Sequence, residues 1–311
     1  MGRILEVPDD LAGERLDRVL ADLTGVSRRA IVHLIGSGRV VVNGRPGIKG
    51  QLVAAGDRLD VAGELPTQEA LRPVPEPDLP IRVVYTDGAI VVVDKPAGVP
   101  THPLKAGERG TLAGALVARF PGCSSASLDP REAGLAHRLD TDTSGLLVAG
   151  RTRTAWDRLR AAFRAGDVEK EYLAIVVGVP PERFTVDLPL AGDPKDPRKV
   201  IAAVGAAHRG RALPAITEVT RVRKLRGCAL VRVRAHTGRR HQIRVHLAHM
   251  GYPLLGDRLY GTGRPAPLEV PGHLLHAERL TIPHPSSGQR VTFEVEPPDD
   301  FQLVLEELAG G

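Results

Sequence analysis

The chain has 311 residues, 42% hydrophobic and 25% charged, the balance of a folded soluble protein with room for about two domains, so fibrous and disordered classes are excluded as its main state. No stretch approaches the ~18 uninterrupted apolar residues of a spanning helix, the opening MGRILEVPDD meets acid too early for a signal core, and Cys123 and Cys228 lack a CxxC spacing; membrane, disulfide-scaffold and cysteine-zinc classes fall away, and a cytoplasmic protein is expected. The net charge of +5 is clustered, with eleven bases against the single acid Glu218 between residues 205 and 244, and 35 of the 42 cations are arginine, the side chain whose planar fork suits phosphate, so a polyanion is the expected partner.

In chain order, Leu16, Val19, Leu20 and Leu23 recur at helical spacing, and Ser27 is placed to cap a second run through Ile31, Leu34 and Ile35. Residues 39–42 form a strand entering the Asn43-Gly44 turn, and Gly56-Asp57 opens a returning strand through Val61. From 26 to 50 there are five bases and no acid, on a piece too small for an enzyme. The marks RLDxxL, SR, GxVxVNG and GD, in that order over about residues 13–61, resemble the alpha-L RNA-binding module of a small-subunit ribosomal protein. That resemblance implies a small RNA-binding domain over residues 1–61, with Arg28 and Arg29 touching RNA; a basic helix-hairpin domain with another partner is the alternative. Residues 62–80, with five prolines among four acids, read as an extended, solvated linker.

The remaining piece, residues 81–311, opens with a strand at 89–93 and the Asp94-Lys95-Pro96-Ala97-Gly98 turn. Helical spacing follows at 112–120 and through Trp156, Leu159 and Phe163, with strands at 146–149, 172–177 and 229–235. In the last strand Val231 and Val233 alternate with Arg232 and Arg234, as in an antiparallel sheet with one wet face. Helices interspersed among strands favour an α+β class with a mixed, largely antiparallel sheet over a doubly wound one. Residues 192–210 read as a loop and RNA-facing surface.

Chemistry concentrates at residues 135–147, where the polar cluster His137-Arg138-Leu139-Asp140-Thr141-Asp142-Thr143 precedes an apolar strand. An aspartate beside arginine and hydroxyls stays ionised and can serve as a nucleophile; a turn or cap role for Asp140 and Asp142 is the competing reading. Two acids two residues apart point to opposite sides of an extended chain, which disfavours a glycosidase pair. His241, His246 and His249, like His273 and His276, lack the carboxylate of an HExxH set, so no metal site is expected and these histidines read as structural or RNA-contacting. Gly238 is expected to open a helix over 239–247 whose first amides and arginines would suit a phosphate.

Six ordered marks then carry a second resemblance: Val92-Val93-Asp94-Lys95-Pro96-Ala97-Gly98 with His102-Pro103; His137-Arg138-Leu139-Asp140 with Thr143-Ser144-Gly145-Leu146-Leu147; Lys170-Glu171-Tyr172-Leu173-Ala174 with Gly178; Gly238-Arg239-Arg240-His241-Gln242-Ile243-Arg244-Val245-His246; Gly256-Asp257 with Tyr260-Gly261; and Leu275-His276-Ala277 with His284-Pro285. Across nearly all of its length the chain resembles the pseudouridine synthases of the RluA/RluD type. The resemblance implies that Asp140 is the catalytic aspartate, Tyr172 the aromatic that packs on the target base, and Arg244 the partner of the aspartate. It implies that Arg138 fills the space of an extruded nucleotide, with His137, Thr143, Arg239, His241 and Gln242 as further substrate contacts. Arg240 stands where members of the family often carry a smaller residue such as threonine.

Uridine isomerisation is redox-neutral and takes no group from outside, so no cofactor is implied, and attack on the sugar, attack on the ring and a glycal route all stay open. A stacked or paired target must be flipped out. Site-specific action on ribosomal RNA in a structured stem-loop, of the large subunit, is the expected activity, with ribosomal particles as a further partner and a monomer sufficing. A non-catalytic RNA-binding or assembly factor is the competing class, and a nucleoside glycosylase, which would release free uracil, is a third.

Overall fold

A computed structural model describes residues 2–26, 28–63, 71–205, 212–261 and 265–310. The chain divides into two units: Met1–Val74 with the short segments Pro103–Glu108 and Asp129–Arg131, and the remainder.

In the first unit, strand β1 (Arg3–Glu6) is followed by helices α1 (Leu16–Thr24) and α2 (Arg28–Gly36), then β2 (Val40–Val42), β3 (Arg45–Pro46) and β4 (Arg58–Val61). The apolar stripe read from the sequence is the face α1 buries: Leu16, Val19 and Leu20 pack with Ile31, Leu34, Val40, Val42, Leu59 and Val61 in one core. The four strands pair antiparallel in the order β1-β4-β2-β3, and Asn43 (φ 50°) and Gly44 (φ 78°) make the left-handed turn between β2 and β3. The expected cap Ser27 and the side chain of Arg29 lie outside the described residues.

The second unit runs β5 (Arg82–Thr86), β6 (Ile90–Lys95), α3 (Leu112–Arg119), β7 (Ser144–Gly150), α4 (Arg153–Ala165), β8 (Glu169–Val177), β9 (Arg183–Asp187), β10 (Leu190–Gly192), β11 (Val200–Ala202), β12 (Ile216–Leu225), β13 (Cys228–Ala235), α5 (Gln242–His249), β14 (Leu275–Pro283), β15 (Arg290–Glu294) and α6 (Asp299–Ala309). Nine of these strands form one sheet in the order β5-β6-β7-β14-β8-β13-β12-β9, with β15 on β14. Every pairing is antiparallel except β7 with β14, where His276 and Ala277 lie beside Ser144 and Gly145. This is the α+β, largely antiparallel sheet that the pattern of elements predicts.

The period-2 alternation of strands splits the interior. Val91, Val93, Tyr172, Ala174, Val176, Val231 and Val233 join α3 and α5 on one face, Ile90, Val92, Val148 and Leu280 join α4 on the other, and Leu173, Ile175 and Leu230 pack with Phe301 and Leu308 of α6. The wet face expected of β13 is therefore only partial. Arg232 is exposed and paired with Glu278 across the sheet, while Cys228 and Leu230 on the same side of β13 are buried.

Three local expectations change. Within the expected loop 192–210, the chain pairs Leu190–Gly192 with Val200–Ala202 as an antiparallel hairpin, because Leu190 and Val200 are buried and the Val200 amide donates to the Tyr260 hydroxyl; residues 206–210 lie outside the described residues. The helix expected over 239–247 begins at Gln242, since His241 takes a left-handed conformation (φ 55°) and the Arg239 amide donates to Gln242 Oε1, so that amide is not offered to a phosphate. Of the expected linker, residues 64–70 lie outside the described residues, and from Pro75 the chain belongs to the second unit, where the Glu76 carboxylate accepts from the Gly110 amide beside the Thr111 cap of α3. Among the described residues no helix is long and apolar enough to cross a membrane.

Candidate active site

The polar cluster at 137–143 is a loop that crosses from the interior to the start of β7, and it is fastened at each end. Lys95, at the end of β6, has no exposed surface, and its ammonium donates to the carbonyls of Pro96 (2.8 Å), Val99 (2.7 Å) and Thr141 (2.8 Å). Burial pushes the Lys95 amine down to about 8, against the pull of Asp142, Asp140 and Asp94. The Thr101 hydroxyl donates to the Leu139 carbonyl at 2.7 Å. On the far side Thr143 is hydrogen-bonded to His273, and Ser144 to His276 Nδ1, whose Nε2 donates to the Val295 carbonyl. Burial moves both rings below the ordinary imidazole value. Gly145 (φ 110°) follows, and a side chain there would meet the Ala277 carbonyl oxygen at 2.3 Å. Only glycine lets β14 approach so closely.

Between these ties Asp140 meets Arg244, which α5 carries. Arg244 Nη1 donates to Asp140 Oδ2 at 2.9 Å, and its Nε and Nη2 donate to the two oxygens of Asp257 at 2.7 and 2.9 Å. The Asp140 side chain is 18% exposed, that of Arg244 10% and that of Asp257 0%. Burial works to raise the Asp257 carboxyl, but Arg244 prevails and holds it below its ordinary value; the two carboxylates in turn raise Arg244 against its own burial, so it is a permanent cation. Its guanidinium lies 5.2 Å from the Tyr260 ring centre. His241 Nε2 stands 3.9 Å from Asp140 Oδ1, and its Nδ1 is bonded to the Tyr260 hydroxyl at 2.8 Å; burial drives this imidazole down to about 4.

A cleft of about 670 Å³ opens over Asp140. Tyr172 of β8 lines it, almost wholly buried, its phenol raised above the ordinary value by burial and by the charge of Asp140. Arg138, exposed, and Arg239, which donates to the Pro214 carbonyl, line the same cleft, as do Arg160, Arg164 and Lys170, the last pushed down to about 8 by burial and the neighbouring Arg239 charge. This is a basic mouth around an acidic centre.

Other residues implicated by sequence are engaged within the protein. His137 stacks on Phe163 with ring centres 4.6 Å apart and accepts from the Val148 amide. Gln242 accepts from Thr237 and Arg239 and donates to the Ile216 carbonyl and the Thr217 hydroxyl, which pins α5 to β12. Arg28, on α2 of the first unit, pairs with the buried Asp17 at 2.7 Å. Lys95, Asp257 and Tyr260 received no role from sequence, although each stands within a quoted mark; an ionisable residue bordering a valine run or a Gly-Asp turn is the trace that could have marked them.

Residues 89–249 match the RNA pseudouridylate synthase family. The chain is 37% identical over 315 residues, 97% of its length and 94% of the relative's, to the ribosomal large subunit pseudouridine synthase D of Pseudomonas aeruginosa. It is 39% identical over 310 residues to an RNA pseudouridine synthase of Chloroflexus aurantiacus, covering 98% of this chain and 93% of that one. The solved human RNA pseudouridylate synthase domain containing 1 superposes with a TM-score of 0.57 at 26% identity, over 71% of this chain and 84% of that chain. A family match over half the chain, joined to relatives of this identity along almost all of it, makes the chain a pseudouridine synthase of the RluA/RluD type, and thus an isomerase.

Proposed function

We propose that the chain isomerises specific uridines in a structured stem-loop of large-subunit ribosomal RNA, with Asp140 as nucleophile. The observation that carries this is the Arg244 Nη1 contact to Asp140 Oδ2 at 2.9 Å, which leaves Oδ1 the less engaged oxygen of a carboxylate lining the cleft that Tyr172 shares. The two relatives named above support the RNA chemistry, and the first, by its name, supports the large subunit. A ribosomal particle is an equally suitable form of the substrate.

In this reading the target uridine leaves its stack, Arg138 occupies the gap, and the base lies against Tyr172. Asp140 attacks either ribose C1′ or the ring, or assists a glycal route; in each the C1′–N1 bond breaks, the base turns, C5 bonds to C1′, and any bond Asp140 has made breaks again to return the free carboxylate. The C5 proton departs to water and N1 gains one, so atoms and electrons balance and no cofactor is consumed. Arg239 meets phosphate at the mouth, and the first unit, with Arg28 and Arg29 on α2, supplies alpha-L-type RNA affinity. The protein acts as a monomer in the cytoplasm.

The test is tritium release from ribosomal RNA transcripts labelled at uridine C5, for wild type, Asp140→Ala and Asp140→Asn. Release by wild type alone supports the reading. Release by both variants removes Asp140 from the chemistry, and appearance of free uracil indicates a glycosylase.

A further inference from the structure

We propose that Asp257 is a positioning residue for the reaction: it aims Arg244 so that one guanidinium edge, and no more, reaches Asp140. The inference rests on the reading of Asp140 and Arg244 as the reacting pair. Arginine presents its donors in a flat fork, and a lone carboxylate beside it draws two parallel bonds. Here that two-pronged engagement goes to Asp257, through Nε at 2.7 Å and Nη2 at 2.9 Å, and Asp140 takes a single bond, from Nη1 at 2.9 Å. Asp140 is thereby held by one oxygen, Oδ2, while Oδ1 stands 3.9 Å from His241 Nε2.

Asp257 is itself built in. Its Oδ1 also accepts from the amides of Leu259 (3.0 Å) and Tyr260 (3.1 Å), and its side chain has no exposed surface. Gly256 before it (φ 81°) runs so close to the Gly272 carbonyl that a Cβ would sit 2.1 Å from that oxygen, which fixes where the loop lies. Tyr260 then stacks on the guanidinium, accepts from the Val200 amide and bonds His241 Nδ1. Two carboxylates thus share one cation, so the centre keeps a net negative charge in place of a neutral pair. Remove the Asp257 charge and the fork is free to swing onto both oxygens of Asp140, tying up the attacking one.

The experiment measures single-turnover tritium release and RNA affinity for wild type, Arg244→Ala, Asp257→Asn, Asp257→Glu and the Arg244→Ala/Asp257→Asn double variant, with and without added ethylguanidinium. Asp257→Asn is expected to lose about 10²-fold in rate, the scale of a misplacement by about 1 Å, with RNA Kd unchanged. Ethylguanidinium is expected to restore at least about tenfold to Arg244→Ala and nothing to the double variant, a dependence that a residue serving only stability would not show. If Asp257→Asn fails to fold by circular dichroism, Asp257→Glu decides: it keeps the charge but displaces the fork, so a loss of at least about tenfold in rate at unchanged Kd supports the proposal. Wild-type rate in whichever variant folds, or equal rescue with and without Asp257, overturns it. Wild-type rate in Arg244→Ala would instead remove the reacting pair itself.

Discussion

Replacing Lys95 by methionine isolates what fastens the loop at residues 137–143. The two side chains are close in length and volume, so no cavity opens, and the change removes one donor group from three carbonyl oxygens at 2.7 to 2.8 Å. Leaving a buried acceptor unmade costs about 1–3 kcal/mol. Against this, the wild-type interior already disfavours the ammonium: moving the amine from 10.5 to about 8 corresponds to about 3 kcal/mol at neutral pH. The net expectation is a loss of about 3 kcal/mol, or roughly 6–12 °C in the melting temperature of a unit this size. The sole tryptophan, Trp156, lies in the same unit, so its fluorescence reports the transition. The sign with pH follows from linkage: the folded amine releases its proton near pH 8 and the unfolded one near 10.5, so raising pH through that window favours the folded wild type, and Lys95→Met lacks this gain. Because one of the three carbonyls belongs to Thr141, beside Asp140, the rate of tritium release is expected to fall about tenfold. A methionine variant as stable as wild type at pH 7, with the same pH dependence, would refute the claim that this lysine holds the loop.

Gly145→Ala places a methyl group 2.3 Å from the Ala277 carbonyl oxygen and is expected to cost at least about 3 kcal/mol in thermal or urea unfolding; a near-neutral melt would refute the close approach of β14. His137, driven down to about 3 by burial together with the charges of Lys170 and Arg160, takes no proton when folded until well below the unfolded value of 6.5. Stability is therefore expected to decline as pH falls from 6.5 toward 3, by at most about 1.4 kcal/mol per pH unit, and His137→Gln is expected to flatten that slope in urea titrations. Arg28→Ala is expected to reduce the slope of log affinity against log salt by about 0.9 for one lost phosphate contact, and to lower the melting temperature of the first unit by depriving Asp17 of one of its two arginine partners.

Elements with a strong period were legible in the residues alone. The stripe Leu16, Val19, Leu20, the valine run of β6, the α4 spacing of Trp156, Leu159 and Phe163, and the alternation of β13 each fall where the pattern puts them. Elements whose identity is settled by distant partners were not. β14 carries His276 and Glu278 within it and becomes a strand through β7, β8 and β15; the β10–β11 hairpin is closed through the hydroxyl of Tyr260, sixty residues on. The start of α5 was displaced because a left-handed histidine is a tertiary outcome with no mark in local propensity. The positions of Asp140, Tyr172 and Arg244 came from the resemblance; the division of one guanidinium between two carboxylates, set by a fold that brings residues 140, 244 and 257 together, had no counterpart in spacing.

The parallel seam between β7 and β14 joins Ser144 to His276, so the strand that follows the Asp140 loop is completed only by chain made some 130 residues later. Arg244 and Asp257 also belong to that later stretch. During synthesis the emerging chain therefore carries the Asp140 loop, with its ties to Lys95 and Thr101, long before Arg244 is made, and the slow closure of such long-range pairing governs when the full cluster assembles. A chain that ends before β14 lacks the strand that pairs with Ser144 and Gly145, so it is expected to release no tritium from RNA labelled at uridine C5, however well its first unit folds.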